Sequence, residues 1–193
     1  MIIGLTGKSC AGKDRFASLL DERFCVIDED GIGHDALDKL KDELAAEFGA
    51  SIIGKDGKVD RKILGPIVFS SPEKLEKLDS ITHPWMVERT LEIAHQAEKD
   101  GRIAVINAAL LEKMGFVKHC DQIVLVQADY SVREKRALSR DGATPESFRK
   151  RCDSQKEIGL SLFASGKKVV TILNNGSDEA LSRQVSYYCD TLK

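Results

Sequence analysis

Residues 7–14, GKSCAGKD, constrain the fold of this 193-residue chain more than any other segment. Gly7, Gly12 and Lys13 fit the phosphate-binding pattern G-x-x-x-x-G-K-[ST]. The last position departs from the pattern, because Asp14 places a carboxylate where a metal-binding hydroxyl is expected. The segment therefore predicts a nucleotide site, and it raises the question of whether Asp14 leaves that site functional.

The residues on either side of the loop predict a strand before it and a helix after it. Residues 2–5 form a short apolar run, and residues 15–23 carry three apolar side chains at helical spacing. In this setting the backbone N–H groups of residues 8–13 are expected to point inward around a phosphate, which the N-terminus of the helix also faces. We expect Lys13 to bridge the terminal phosphates as a point charge.

Four further apolar runs predict strands, at residues 25–28, 102–107, 122–127 and 168–173. They are apolar nearly throughout rather than alternating, which suits strands covered on both faces and hence a parallel sheet. Helical stretches lie between them, so we expect a doubly wound α/β fold. The chain is predicted to be one domain, 1–193, with a core of 1–30, 100–129 and 166–193, a helical lobe at 31–99 and a lid at 130–165.

The composition excludes several classes of function. A net charge of -2 supplies no global basic field for nucleic acid. No apolar run is long enough to span a membrane, and the apolar stretch at the N-terminus is too short for a secretory signal. The five cysteines are scattered without a CxxC pair, which favours thiols in a reducing cytosol over a zinc ribbon. We therefore expect a cytoplasmic protein.

Two segments offer groups for an acceptor substrate. Asp28 and Asp30 follow the second predicted strand, and ligands gather at the carboxyl ends of strands in open α/β sheets. A carboxylate there would accept a proton from a substrate hydroxyl or hold magnesium through water, the alternative being an acidic turn. His83 precedes Pro84, which disfavours helical geometry. It would contact a phosphate or ribose, or serve as a packed or capping residue.

The segment 130–165 is rich in arginine. Arg136 and Arg140 are four residues apart on one helix face, and arginine forks suit phosphoryl oxygens. Basic helices that follow a sheet strand would act as a closing lid. Surface salt bridges on a solvated helix are the alternative.

Taken together, these segments resemble the dephospho-CoA kinase family. The resemblance covers essentially the whole chain, in order and approximate spacing. It rests on GLTG at 4–7, IDED at 27–30 with His34, DGKVDR at 56–61, His83-Pro84, INAALLEKMG at 106–115, the trio Arg136, Arg140 and Gln155, and the NNG turn at 174–176.

The resemblance implies a fold, a reaction and a cofactor. The fold would be a three-layer α/β/α phosphate-loop kinase core with a helical CoA-binding lobe and a lid. ATP, with Mg²⁺, would donate its γ-phosphoryl group to the ribose 3′-hydroxyl of dephospho-CoA, the last step of coenzyme A biosynthesis. Two other hypotheses are another nucleoside- or nucleotide-type kinase, and a non-catalytic nucleotide-binding protein in which Asp14 marks lost chemistry.

The resemblance also implies roles for individual residues. Asp30 would be the general base, Lys13 would stabilise the transferring phosphoryl group, and Arg140 would be the lid arginine. The ATP site would comprise Gly7, Lys8, Ser9, Cys10, Ala11, Gly12, Lys13, Asp14, Arg15, Arg136, Arg140, Asn175 and Gly176. The acceptor side would comprise Asp28, Asp30, His34, Arg61 and His83. The segment 108–112 would pack and contact substrate.

Asp14 is the departure from the family pattern with a chemical consequence. A carboxylate can ligate magnesium in place of the missing hydroxyl. It also adds negative charge close to the polyphosphate and would repel ATP that lacks metal. The sequence therefore predicts a magnesium ligand at Asp14 and a stronger dependence of ATP binding on magnesium.

Overall fold

A computed structural model describes residues 1–140 and 142–192, with the side chain of Arg140 excluded. Its five strands are β1 (Ile2–Thr6), β2 (Phe24–Asp28), β3 (Ile103–Asn107), β4 (Gln122–Gln127) and β5 (Lys168–Leu173). They form one sheet in the order β2-β3-β1-β4-β5, in which β1 pairs in parallel with β3 and β4, and β4 pairs in parallel with β5. The predicted α/β fold with a parallel sheet is confirmed, and the strand bounds agree with the prediction to about one residue.

The sheet is held by apolar side chains on both faces. Every residue of β1 is buried, as are the first five residues of β4. Ile3 and Leu5 join Phe16, Val124 and Ile172 in one core cluster. Burying each such side chain contributes roughly 1.5–3 kcal/mol, which accounts for the unbroken apolar runs of the sequence.

Eight helices lie within the described residues: α1 (Lys13–Ser18), α2 (Glu29–Lys39), α3 (Lys41–Phe48), α4 (Arg61–Val68), α5 (Pro72–Lys99), α6 (Tyr130–Arg140), α7 (Pro145–Ser154) and α8 (Asp178–Asp190). The first is shorter than the predicted helix at 15–23. Its end is tightened by i→i−3 bonds from the Leu19 N–H to the Phe16 carbonyl (3.1 Å) and from the Leu20 N–H to the Ala17 carbonyl (3.3 Å). This tightening ends the helix ahead of β2.

The expectation that Pro84 keeps His83 out of a helix is wrong. Both residues lie inside α5. An interior proline removes one backbone hydrogen bond and costs about 3 kcal/mol. Burial compensates for this cost, since Thr82, Met86 and Thr90 recur every four residues along the helix and are at most 9% exposed. Packing of α5 therefore outweighs the tendency of Pro84 to keep the preceding residue out of a helix.

The chain divides into two compact units, Met1–Ile27 with Ala94–Lys193, and Asp28–Ile93. The first contains the sheet and, in the segment 130–165, the helices α6 and α7. The second is helical and has its own apolar core, formed by Leu44, Ile52, Val59, Leu64 and Val68. Across the described ranges, no helix is both long and apolar enough to span a membrane.

The strand order places the glycine loop at the turning point of the sheet. From β1 the chain crosses to β2 on one side of the sheet, and from the neighbouring β3 it crosses to β4 on the other side, so the crossovers from these adjacent strands run in opposite directions. In open α/β sheets a ligand crevice forms outside the carboxyl ends of the strands at such a point. The loop of residues 7–12 follows β1 directly.

Candidate active site

Close packing explains the two glycines of the loop. Gly12 has a φ of 102°, in the left-handed region that favours glycine, and a Cβ there would lie 2.1 Å from Asn174 Nδ2. A Cβ on Gly7 would lie 2.4 Å from the Val126 carbonyl oxygen. The loop can therefore approach the ends of β4 and β5 only with glycine at both positions.

Two side chains brace the loop through its carbonyl groups. Arg136, on α6, donates from Nη1 to the carbonyls of Cys10 (3.3 Å) and Ala11 (3.4 Å), and from Nη2 to the carbonyl (2.9 Å) and Oδ1 (3.2 Å) of Asn174. Asn174 Nδ2 donates in turn to the Ala11 carbonyl at 2.8 Å. The sequence predicts Arg136 as an ATP ligand, and in the structure Arg136 contacts the main chain of the loop and Asn174.

Two loop amides that were expected to face a phosphate have protein partners. The Ser9 N–H donates to Gln155 Oε1 at 2.7 Å, and the Ala11 N–H donates to the Lys8 carbonyl at 3.0 Å. The prediction that every amide of residues 8–13 points inward is therefore wrong at these two positions. A tight turn within the loop engages the Ala11 N–H, and the side chain of Gln155, which directly follows α7, engages the Ser9 N–H. The first-turn amides of α1, which have no intrahelical partner, remain suited to an anion.

Asp14 forms a small cluster with Lys13 and Asn107. Lys13 Nζ donates to Asp14 Oδ1 at 2.9 Å, and Asn107 Nδ2 donates to the same oxygen at 3.1 Å. A carboxylate only accepts, so the nitrogen of the Asn107 amide must face Asp14 and its oxygen must face away. That oxygen, Oδ1, is buried without a hydrogen-bond partner among the described residues. An orphaned acceptor of this kind costs about 1–3 kcal/mol.

The other predicted ATP-site residues have more peripheral contacts. Arg15 forms an exposed ion pair with Asp178, which raises the pKa of Arg15 and lowers that of Asp178. Asn175 Oδ1 accepts the N–H of Asp129 at 2.8 Å, beside Gly176. The side chain of Arg140 lies outside the described residues.

The helical unit contains a cavity of about 590 Å³. Four of the five predicted acceptor residues line it: Asp30, His34, Arg61 and His83. Asp28 does not line it, and caps α2 instead by accepting the Asp30 N–H at 3.4 Å. The remaining wall is mostly apolar, from Leu37, Leu64, Val68, Phe69, Leu78 and Met86. The cavity thus combines a charged part with an apolar part.

The polar side chains of this cavity are linked in pairs. Arg61 donates to Nε2 of His34. An arginine has no acceptor, so Nε2 must be unprotonated and the His34 ring proton lies on Nδ1. His83 Nε2 lies 3.4 Å from Asp79 Oδ1, and both side chains are less than one fifth exposed. The cavity therefore presents a guanidinium and an oriented imidazole.

Glu29 is a buried acid beside this cavity. Its side chain is 5% exposed, Thr90 donates to Oε1, and Oε2 is buried without a partner in the described part of the chain. Burial raises the pKa of Glu29 to about 7, a shift that Asp28 and Asp30 increase and the Thr90 hydrogen bond reduces. Glu29 also lines the cavity.

Sequence reasoning missed several residues of these clusters. Asn107 is a polar residue that ends an apolar strand, the same signal that marked Asp28, and it could have been found. Glu29 stands between two acids in the sequence, and nothing local distinguishes it as the buried one. Arg151 contacts Ser9 and lies in an arginine-rich run without a local signal for that contact. Gln155 also contacts Ser9, and the sequence marked it only as part of the family resemblance, without a role in the site.

Comparison with known proteins identifies relatives of the whole chain. A family model described as dephospho-CoA kinase matches residues 1–177. A dephospho-CoA kinase of Fusobacterium nucleatum is 37% identical over 196 residues, covering 100% of this chain and 98% of the relative. A dephospho-CoA kinase of Corynebacterium glutamicum is 33% identical over 189 residues, covering 95% of this chain and 93% of the relative.

Solved structures share the fold over the full chain. A crystal structure of a Thermus thermophilus protein superposes with a TM-score of 0.79 at 27% identity, covering 100% of this chain and 98% of that one. A dephospho-CoA kinase from Campylobacter jejuni superposes with a TM-score of 0.69 at 25% identity, covering 100% and 97%.

Proposed function

The chain belongs to the dephospho-CoA kinase family, and we propose how its residues divide the reaction between the phosphoryl donor and the acceptor. It is a transferase that uses ATP to phosphorylate the ribose 3′-hydroxyl of dephospho-CoA, the last step of coenzyme A biosynthesis. The observation that carries this conclusion is the full-length family match of a chain whose glycine loop follows β1 at the turning point of the sheet.

The glycine loop holds the polyphosphate of ATP. Residues 7–15 line it, and Lys13 stabilises the charge that spreads over the transferring phosphoryl oxygens. Arg140 closes over the phosphates as the lid arginine, and Asn175 with Gly176 lies near the adenine. Support comes from the position of Lys13 at the start of α1, with a side chain that is only 13% exposed.

The Asp14 carboxylate would hold the Mg²⁺ that accompanies ATP. Carboxylate and amide oxygens are hard ligands, and Mg²⁺ is usually bound by one or two protein oxygens together with substrate phosphates and water. The exposed Asp14 carboxylate, which follows Lys13 in the first turn of α1, fits this requirement. Among the described residues, no group of three or more His, Cys, Asp or Glu is placed to hold a metal ion, so substrate phosphates and water would supply the other ligands. The metal would neutralise charge on the β- and γ-phosphate oxygens.

Asp30 is the general base on the acceptor side. Its carboxylate lines the cavity at the first turn of α2 and is exposed, so a substrate hydroxyl can reach it. A positioned base contributes about 10²–10⁴-fold to the rate. Asp28 supports Asp30 by capping the same turn.

His34, Arg61 and His83 bind the charged part of dephospho-CoA. An arginine fork can donate two parallel hydrogen bonds to two oxygens of one phosphate. The apolar wall of the cavity then suits the uncharged parts of the same ligand. This assignment rests on the cavity that the three side chains share with Asp30.

We also infer that the protein acts in the cytoplasm without a nucleic-acid or membrane partner. The net charge of -2 and the small-molecule substrates of the family support this inference. Fractionation of the cells that make the protein, followed by immunodetection, tests it. Recovery with the membrane fraction would contradict it.

A coupled assay of ADP release tests the function itself. Dephospho-CoA is compared with nucleosides and nucleotides as acceptor, in the presence of ATP and Mg²⁺. We expect turnover with dephospho-CoA alone, and coenzyme A as the product by mass spectrometry. Turnover of a nucleoside or nucleotide without turnover of dephospho-CoA would overturn the conclusion, and so would ATP binding without any turnover.

A further inference from the structure

The segment that follows β4 holds every polar group of Ser9. The Ser9 N–H donates to Gln155 Oε1 at 2.7 Å, and its carbonyl oxygen accepts from Arg133 Nη1 at 3.4 Å. Its hydroxyl accepts from Arg151 Nη1 at 3.3 Å. Ser9 lies in the first half of the loop, away from Lys13, and all four residues belong to the same unit. Two arginines are thus brought to one rim of the phosphate loop.

Arg133 has the environment of a structural residue. It is 7% exposed, its guanidinium lies over the rings of Tyr130 and Phe148 at 5.9 and 5.8 Å, and it donates to the Ala128 carbonyl at 3.2 Å. These contacts fix Arg133 where it is. Its contact with the Ser9 carbonyl therefore supports the loop, as the contacts of Arg136 with the Cys10 and Ala11 carbonyls do.

Arg151 differs from Arg133 in its exposure and in the atom it meets. It is half-buried on the last turn of α7, and its partner on the loop is a neutral hydroxyl at a long distance. With an anionic phosphate, a guanidinium can form two parallel charge-assisted hydrogen bonds, and a single hydroxyl cannot offer this. A phosphate oxygen near Ser9 would therefore replace the hydroxyl as the acceptor.

The loop geometry indicates which phosphate that would be. In this type of loop the backbone amides enclose the inner phosphates and the lysine reaches the outer two, so the terminal phosphate is the one left open at the rim. A guanidinium that is hydrogen-bonded to a loop side chain is within one side-chain rotation of that rim. We propose that Arg151 contacts the γ-phosphate of ATP and is a catalytic residue additional to Lys13 and Arg140.

Before ATP binds, the Ser9 hydroxyl keeps the Arg151 guanidinium beside the loop by accepting its hydrogen bond. Arg151 exchanges Ser9 Oγ for a γ-phosphate oxygen and stabilises the charge that develops there during transfer. Gln155 retains its bond to the Ser9 N–H and keeps the end of α7 beside the loop. The contact exists only with a triphosphate, so it distinguishes ATP from ADP. It rests on the proposed function, since only a phosphoryl donor has a γ-phosphate.

Direct binding of ATP and ADP without acceptor tests this proposal. Calorimetry with Mg²⁺ compares the wild type with Arg151→Ala, and uses Arg149→Ala as the matched control, because Arg149 is exposed on the same helix. We expect Arg151→Ala to weaken ATP binding by about tenfold or more while ADP binding stays within about twofold, since a hydrogen bond to a charged group contributes about 1.5–3 kcal/mol. Arg149→Ala should change neither affinity.

Turnover of dephospho-CoA gives the second readout. Arg151→Ala should lower kcat by about 10²–10³-fold, as removal of one transition-state donor does elsewhere, and Arg151→Lys should restore part of it. Equal losses for ATP and ADP, or no loss, would overturn the proposal. Should Arg151→Ala fail to fold, the affinities of Arg151→Lys for ATP and ADP, compared in the same way, decide between these outcomes.

Failure of this proposal is distinguishable from failure of the proposed function. The wild-type protein either phosphorylates dephospho-CoA or does not, whatever Arg151 contributes. Binding of ATP and ADP is measured without the acceptor, so the difference between them reports the γ-phosphate contact alone.

Discussion

At the scale of single residues, Asp14 shows how one side chain can change its role with its surroundings. It occupies the hydroxyl position of a phosphate loop, and its Oδ1 accepts from both Lys13 and Asn107. These two donors partly offset its charge, and the Asn107 oxygen behind it is left without a partner. A metal-dependent site at Asp14 stays a prediction, which the following substitution tests.

Replacing Asp14 with Ser tests this interpretation. The wild type should lose ATP affinity steeply as Mg²⁺ is withdrawn, because the carboxylate then repels the bare polyphosphate. Asp14→Ser should lose much less, since the repulsion is gone. Calorimetric titration of ATP over a range of Mg²⁺ concentrations measures how steeply the ATP affinity of each protein depends on Mg²⁺. Tight binding of metal-free ATP by the wild type would contradict the prediction.

Replacing Asp30 with Asn tests the general base. We expect kcat with dephospho-CoA to fall by about 10²–10⁴-fold, because the amide cannot take the proton of the hydroxyl. ATP affinity should stay within about twofold, and Asp35→Asn, on the exposed side of α2, is the matched control. Unchanged turnover of Asp30→Asn would remove Asp30 from this role.

At the scale of secondary-structure elements, the phosphate loop depends on α6 and on the end of β5. Arg136 and Asn174 satisfy the carbonyls of Cys10 and Ala11, which the loop cannot satisfy itself. A guanidinium with five donors in a fixed fork suits several acceptors at once. The geometry of the loop is therefore a property of three elements and not of its own sequence alone.

Replacing Arg136 with Met tests whether Arg136 supports the loop structurally or binds a phosphate of ATP. If Arg136 supports the loop, Arg136→Met should lower the free energy of unfolding by about 2–4 kcal/mol without nucleotide, because the loop carbonyls lose their donors. Urea unfolding of the free protein measures this loss, and Lys135→Ala, exposed on the same helix, is the control. Unchanged stability with weakened ATP binding would instead support Arg136 as the ATP ligand that the sequence predicts.

At the scale of the whole molecule, Glu29 links overall stability to pH. Burial raises its pKa from 4.5 to about 7, so between these values the folded state binds the proton more tightly than the unfolded state. The contribution of Glu29 to the free energy of unfolding is therefore largest below pH 4.5, falls as pH rises toward 7, and is constant above that. A pKa shift of this size changes the free energy of unfolding by roughly 3 kcal/mol between the two ends of this pH range.

Glu29→Gln should remove this part of the pH dependence. The free energy of unfolding of the wild type minus that of Glu29→Gln should fall as pH rises from 5 to 8, because the glutamine has no proton to lose. Urea unfolding of both proteins at these pH values measures the difference. A difference that does not change with pH would show that Glu29 does not titrate in this range.

Much of the fold could be predicted because its signals are local. The apolar runs of β1 and β4 mark strands that are buried on both faces, and the glycine pattern of residues 7–13 depends on the chemistry of one loop. The acids at 28 and 30 were found because they end a strand. Predictions from single residues were weaker: Pro84 was expected to interrupt a helix, and the buried face of α5 outweighs it.

The sequence by itself determined the α/β class, the position of the phosphate loop and the family, because these depend on short-range periodicity and on motifs within a few residues. Only the tertiary structure decided which side chains meet at the loop. Ser9 meets Arg151 and Gln155 across 142 and 146 residues of chain, and Asp14 meets Asn107 across 93. It also decided which acid is buried, since Glu29 lies between two exposed aspartates. Contacts and burial of this kind depend on how distant segments pack, and no local pattern carries that information.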